Sequence, residues 1–284
     1  MPTALRYNGS DSGQFILRGS YVEKTVNAKN VELWSGFSET YHDSRPVPPE
    51  AIKKIILAWL QTTPKTVVDV GCGTGLSTGI WEDTAENIIG IEPNDDMRKT
   101  AEKNVGSERV VFKKGVSNET GLQSGCADVV TVSQAFHWMD IDSTLLEFHR
   151  ILKPGGVLAI YDFAMPPVMN REIEPAFLEL RRKSQEIVYS QEAPPAHNDK
   201  DSYLDRIRSF GKFRHARNAA CHSFEKWPLP KVIEHFMSTS NAGFAIKIDA
   251  SIEADINEFI ALVRSQADSE FEIVFPYQMV IAVK

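Results

Sequence analysis

Val67-Val68-Asp69-Val70-Gly71-Cys72-Gly73-Thr74-Gly75 is the stretch on which the reading of the fold turns. A β-branched run ends on an acid, then opens into Gly-x-Gly-x-Gly ahead of a helical stretch, the pattern of a buried strand turning sharply into a helix. Glycine at such a turn accepts left-handed backbone and leaves no side chain between the main chain and a ligand lying across the strand end. A plain tight turn uses the same residues. The position of this one, after the first strand of a sheet, favours a ligand site.

Outward from it, TVVDV (66–70), IIGIE (88–92), RVVFKK (109–114), DVVTVS (128–133) and VLAIYDF (157–163) are short, β-branched and almost continuously apolar, with helical stretches between most of them. Strands buried on both faces and joined by crossover helices make a parallel sheet covered on each side. Right-handed crossovers then give a doubly wound, Rossmann-like α/β order, with the first strand beside the point where the winding reverses. A short helical pattern from Trp34 to Tyr41 is stopped by RPVPP (45–49), because proline lacks the amide proton and restricts its predecessor. Glu50 to Gln61 is a helix whose core face is Ile52, Ile55, Ile56, Trp59 and Leu60.

After Phe163 the alternation ends. Met165 to Tyr203, with a helix from about Glu174 to Tyr189, reads as a cover over the substrate. The first 30 residues read as a mobile arm that docks on ligand. FRHARNAACHSF (213–224) is extended, a helix ends near Ser238-Thr239-Ser240, another runs from Glu253 to Gln266, and FEIVFPYQMVIAVK closes the chain. The expected organisation is an arm and lid helix (1–50), a ligand-binding core (51–164), an insertion carrying a sixth strand (165–248), and a C-terminal helix and last strand completing the core (249–284).

The 284 residues, 42% hydrophobic and 24% charged, suit one enlarged domain with a large core and exclude wholesale disorder. A net charge of −7 is the wrong sign for a protein that grips nucleic acid. Mean hydropathy of −0.25 and the lack of any apolar run near 18 residues argue against a membrane span. MPTALRYNGSDSG has no signal-peptide core, so a cytoplasmic location is expected. Cys72, Cys126 and Cys221 are distant and odd in number, hence reduced thiols, and no metal is expected.

The glycines also constrain the ligand. The dinucleotide fingerprint Gly-x-Gly-x-x-Gly fails at Leu76 in one register and at Thr78 in the other, which disfavours a pyrophosphate. An acid ahead of the turn, Asp69, suits a cationic ligand such as S-adenosyl-L-methionine, which carries a sulfonium and an ammonium. Glu92, at the tip of the second strand and about 20 residues on, is placed to accept both ribose hydroxyls. Pro93 and the capping residues after it start a helix that sets Met97 towards the nucleoside, as core packing or as an adenine contact.

Together these residues resemble the class I S-adenosylmethionine-dependent methyltransferases. The glycine motif, Glu92, GVSNETGLQSGCAD (115–128), Ser133-Gln134-Ala135-Phe136-His137-Trp138 and LKPGG (152–156) stand in family order and spacing. Within that superfamily the chain resembles the type 11 small-molecule group and its trans-aconitate methyltransferase-like enzymes, through YHDSRPVP (41–48) and Ser238-Thr239-Ser240. The resemblance implies a seven-stranded sheet whose last strand, about Gln278 to Val283, runs antiparallel beside the fifth. It implies S-adenosyl-L-methionine as cofactor and a small-molecule acceptor methylated on oxygen, a carboxylate or a hydroxyl, with no nucleic-acid or membrane partner. Gly71, Gly73 and Gly75 match the cofactor loop and Glu92 the ribose acid. Ser117 matches the adenine edge, although Val116 replaces the family's acid. Ser133 and Gln134 would border the methionine moiety. Trp34, Tyr41 and Arg45 match the closing N-terminal helix, where Arg45 could pair with the methionine carboxylate. Tyr41 and Trp138 offer aromatic faces to the cation. His137 is a candidate general base or substrate orienter, a pocket wall or a structural residue, since a carboxylate acceptor needs no base. A nicotinamide-dependent oxidoreductase, a nucleic-acid methyltransferase and a cofactor-binding protein without turnover are the competing readings.

Overall fold

The computed structural model describes residues 31, 35–36, 38–191, 198–266 and 270–284. Its strands are β1 Thr66–Val70, β2 Asn87–Ile91, β3 Val110–Lys113, β4 Ala127–Ser133, β5 Leu152–Phe163, β6 His215–Pro228 and β7 Glu270–Val283. Among the described residues they form one sheet of order β3-β2-β1-β4-β5-β7-β6. β1 to β5 are parallel to one another, and β7 runs antiparallel between β5 and β6. The order reverses at β1, which places the ends of β1 and β4 together at the switch point.

The near-continuous apolar runs follow from a sheet buried on both faces. Val67, Val129, Val157, Ala159 and Tyr161 pack against Ile52, Ile56, Phe177, Phe236 and Phe259 on one side. Val68, Val130, Val132, Leu158 and Ile160 pack against Leu145, Phe148, Tyr203 and Ile207 on the other. Successive residues alternate between faces, so a strand covered twice needs apolar residues throughout, each large one contributing about 1.5–3 kcal/mol.

The helices are α1 Ser38–Ser44, α2 Glu50–Leu60, α3 Leu76–Gly79, α4 Asp95–Asn104, α5 Ile141–Ile151, α6 Ile173–Gln191, α7 Tyr203–Phe210, α8 Leu229–Thr239, α9 Ala242–Ile248 and α10 Glu253–Gln266. α4 and α5 start on side-chain caps: Asn94 accepts from the Asp96 and Met97 amides, and Asp140 from the Ser143 amide.

The structure departs from the sequence reading in three places. β7 begins at Glu270, well before Gln278, because the segment before Tyr277 pairs along its length with β6 and meets the other side only at Val168, beyond the end of β5. Proline there removes no needed donor, since β7 meets β5 only from Tyr277 onward. β6 likewise continues to Pro228. The first part of the segment after Phe163 joins the sheet and core rather than standing apart from them. Val168 bridges to Val274, and Ile173, Phe177 and Leu180 of α6 are buried in the same cluster as the sheet. The N-terminal arm of residues 1 to 30, and Trp34, lie outside the described residues.

Candidate active site

Every element of the site converges on the ends of β1 and β4. The turn after β1 is pinned by backbone bonds from the Gly71 and Cys72 amides to the Ile91 carbonyl (2.8 and 3.2 Å). Gly71, Gly73 and Gly75 all have positive φ, but their surroundings differ. A Cβ on Gly71 would meet the Ala135 Cβ at 2.7 Å, and one on Gly75 would meet the Val105 side chain at 2.9 Å. One on Gly73 would meet nothing within 4 Å. Gly71 and Gly75 are therefore packing glycines, while Gly73 holds its backbone against open space.

That space is an open cleft. Its floor is Gly71 to Thr74 with Leu76 and Ser77, and one wall is Ser133 and Gln134. Phe163 and Tyr277, from β5 and β7, form the far side, and Tyr41, Arg45, Pro46 and Pro48 form the roof. Gln134 takes a positive φ of 53°, its amide donates to the Tyr161 carbonyl (3.1 Å), and its Nε2 donates to the Phe163 carbonyl (3.3 Å). These bonds hold the strained turn that aims β4 into the cleft.

Arg45 is only 8% exposed, and its guanidinium carbon lies 4.5 Å over the Tyr41 ring. Burial pulls its pKa down, opposed by the Tyr41 hydroxyl. No carboxylate among the described residues forms an ion pair with it, and its Nε has no hydrogen-bond partner. The buried Thr74 Oγ1, in the floor, is likewise unpartnered. A buried cation and an unsatisfied hydroxyl lining one cleft are costly unless something anionic and hydrogen-bonding completes the site.

Asp69 does not face this cleft, contrary to its reading as a cofactor contact. It is 0% exposed and accepts from the Ser77, Thr78 and Thr131 hydroxyls at 2.6, 2.7 and 2.8 Å. It ties the start of α3 to β4 beneath the glycine turn, and burial raises its pKa against those three bonds. Glu92, 7% exposed, accepts from the Asn94 amide on Oε1 and the Gly73 amide on Oε2, both at 2.9 Å. It thus couples the tip of β2 to the cleft's key glycine, and each oxygen retains an accepting lone pair. Its pKa is raised, burial outweighing the two backbone bonds. The Cys72 thiol is pushed well up by burial and by the Asp69 and Glu92 charges, so it stays a neutral wall.

Pro93 is half-buried beside the α4 cap, and Met97 is buried on α4. The Ser117 hydroxyl pairs with the Thr144 hydroxyl at 2.7 Å, joining the segment after β3 to α5. His137 and Trp138 stand on a single 3₁₀ turn, their rings 4.7 Å apart, and neither lines the cleft. His137 Nδ1 lies 3.9 Å from Asp162 Oδ1, and Lys200 Nζ donates to Asp162 Oδ1 (2.8 Å) and Gln134 Oε1 (3.2 Å).

Thr74, Phe163 and Tyr277 line the cleft but were not named as contacts in the sequence reading. Thr74 was visible inside the glycine motif as a hydroxyl at the strand end. Phe163 and Tyr277 had no local signal, because Tyr277 reaches the cleft only through the β5–β7 pairing.

Comparison with known proteins bears on this geometry. The family model described as "Methyltransferase domain" matches residues 68–160, which hold the glycine turn, Glu92 and Gln134. A Saccharomyces cerevisiae protein assigned as an S-adenosylmethionine-dependent methyltransferase is 29% identical over 138 residues, 47% of each chain. The match thus spans about half of that relative. A Dictyostelium discoideum protein assigned as a methyltransferase is 22% identical over 257 residues, 89% of this chain and 95% of that one. In fold, the chain resembles the structure of a protein from Anaeromyxobacter dehalogenans assigned as a type II methyltransferase, with a TM-score of 0.63 and 19% identity, over 84% of this chain and 97% of the other. Among the described residues no helix is long and apolar enough to cross a membrane, and no cluster of His, Cys, Asp or Glu is placed to hold a metal.

Proposed function

We propose that this chain, whose residues 68–160 match a methyltransferase domain, is an S-adenosylmethionine-dependent methyltransferase that methylates an oxygen of a small acceptor that is already anionic, a carboxylate above all. The observation that carries the proposal is the composition of the cleft. Among the described residues its lining has one cation, Arg45, and no carboxylate, imidazole or amine that could take a proton. An amine or alcohol acceptor needs such a base, whereas a carboxylate presents its lone pair without one.

Three features support the fit of the cofactor. The open face of Gly73 admits a ligand against the backbone, the unpaired Arg45 suits the methionine carboxylate, and the Glu92 oxygens suit the ribose hydroxyls. Bound S-adenosyl-L-methionine supplies an electrophilic methyl whose leaving group departs as a neutral thioether, so no acid is needed. The protein's part is alignment and exclusion of water. Pro46, Pro48, Phe163 and Tyr277 surround the cleft with apolar surface that does both. Tyr41, stacked on Arg45, also offers a ring face for a sulfonium. His137, behind the cleft with Asp162, acts in this reading on the shape of the loop after β4. The YHDSRPVP pattern, similar to that of trans-aconitate methyltransferase-like enzymes, agrees with a carboxylate acceptor.

The test is transfer of labelled methyl from S-adenosyl-L-methionine to a panel of small carboxylic acids alongside their alcohol, amide and amine counterparts. An alkali-labile methyl ester, formed only from the acids, is expected. Alkali-stable label on nitrogen or carbon, or preference for the alcohols, would overturn the proposal.

A further inference from the structure

Arg45 and Tyr41 roof the cleft from the end of a two-turn helix, and something must hold that helix end in place. Ser44 is its last residue, and its carbonyl is one of the helix-terminal acceptors that lack an intrahelical donor. The chain cannot cap itself by local amides at Pro46 and Pro48, since proline has no N–H. The missing donor comes from α8. His235 Nδ1 lies 2.7 Å from the Ser44 carbonyl, and the Ser238 and Ser44 hydroxyls meet at 3.3 Å. Ser44 is 0% and His235 1% exposed. A carbonyl can only accept, so the imidazole carries its proton on Nδ1. Nε2 is left unpartnered within a cage of rings whose centroids lie 5.3 Å (Trp227), 5.6 Å (Phe275) and 6.1 Å (Phe163) away. Phe163 is itself a wall of the cleft, so the cage is continuous with the site.

We propose that His235 is a positioning residue for cofactor binding: its Nδ1–H fixes the Ser44 carbonyl and thereby sets where the next residue, Arg45, presents its guanidinium. The inference rests on the reading of Arg45 as the partner of the cofactor's carboxylate. It makes α8 a second determinant of cofactor affinity, although none of its residues lines the cleft. Ser238 supports the same joint from one turn further along, by donating to the His235 carbonyl at 2.9 Å.

Four proteins test it: His235→Leu, which removes the donor; His235→Asn, whose side-chain N–H reaches from near the Nδ1 position; Arg45→Met; and the Arg45→Met/His235→Leu double variant. Each is assayed below its own unfolding temperature for S-adenosylhomocysteine affinity by calorimetry and, where turnover is measurable, for KM and kcat separately. His235→Leu should weaken affinity and raise the KM for S-adenosyl-L-methionine about three- to tenfold, as for one displaced hydrogen bond, with kcat little changed. His235→Asn should restore most of the loss, and His235→Leu should add less than twofold in the Arg45→Met background. If His235→Leu lowers the melting temperature alone and binds as wild type, the residue is merely structural. If its effect persists undiminished in the Arg45→Met background, it acts by another route. If Arg45→Met itself binds normally, the reading of Arg45 fails, and this inference fails with it.

Discussion

His235 makes the fold acid-sensitive in a way that can be worked out from its surroundings. Burial among aromatic rings, with the Arg45 charge facing it from the end of α1 and Lys231 on its own helix, pushes its imidazole down to about 3 from an ordinary 6.5. In the unfolded chain the ring takes up a proton as pH falls through 6.5, whereas in the folded chain it stays neutral until near 3. The unfolded state therefore binds more protons across that window, and stability is lost as pH falls through it. At 1.36 kcal/mol per unit, the loss between pH 7.5 and 5.0 is about 2 kcal/mol from this residue. The buried acids Asp69, Glu92 and Asp162 have raised pKa values and push stability the opposite way as pH falls, but equally in wild type and variant. Urea unfolding of wild type and His235→Asn at both pH values isolates the difference. Wild type should lose about 2 kcal/mol more than the variant over this interval. Parallel losses would mean that the imidazole already carries a proton in the folded state, or that water reaches it.

Replacing Glu92 by Ala should weaken S-adenosylhomocysteine binding by roughly 1.5–3 kcal/mol per charged hydrogen bond lost, read by calorimetry. It should also lower the melting temperature, because the Gly73 and Asn94 amides lose their acceptor. Gly73→Ala and Gly75→Ala should separate binding from packing. The first puts a methyl into the open cleft and reduces cofactor affinity, with about 1–2 kcal/mol of left-handed strain. The second drives a methyl into Val105, Ala101 and Phe112 and costs more in thermal stability than in binding.

The sheet was legible from the sequence because burial on both faces leaves a nearly uninterrupted apolar signature, and because the glycine turn marks the switch point. The same physics made the last two strands harder to read. Glu270 and Glu272 alternate with Phe271 and Ile273 in a half-covered segment, and Pro276 imitates a strand end although it only marks where β7 gains its second neighbour. Asp69 is the instructive case within the site. An acid at a strand end next to glycines looks like a ligand contact, and only three-dimensional packing brings Ser77, Thr78 and Thr131 to claim both its oxygens. Conversely, the roof of the cleft was visible in the composition of residues 41 to 48, but its anchor was not. His235 follows Ser44 by nearly two hundred positions, and no local pattern links a histidine on one amphipathic helix to the carbonyl that ends another.

The central claim is that the space between the glycine turn and Arg45 binds S-adenosyl-L-methionine in an orientation set by these residues. A crystal structure with S-adenosylhomocysteine tests it most directly. The account predicts the amino-acid carboxylate within ion-pair distance of the Arg45 guanidinium, the ligand in van der Waals contact with the Gly73 backbone, and the ribose hydroxyls on Glu92. A ligand seated elsewhere, or one in this cleft with its carboxylate away from Arg45 and its ribose away from Glu92, would contradict it.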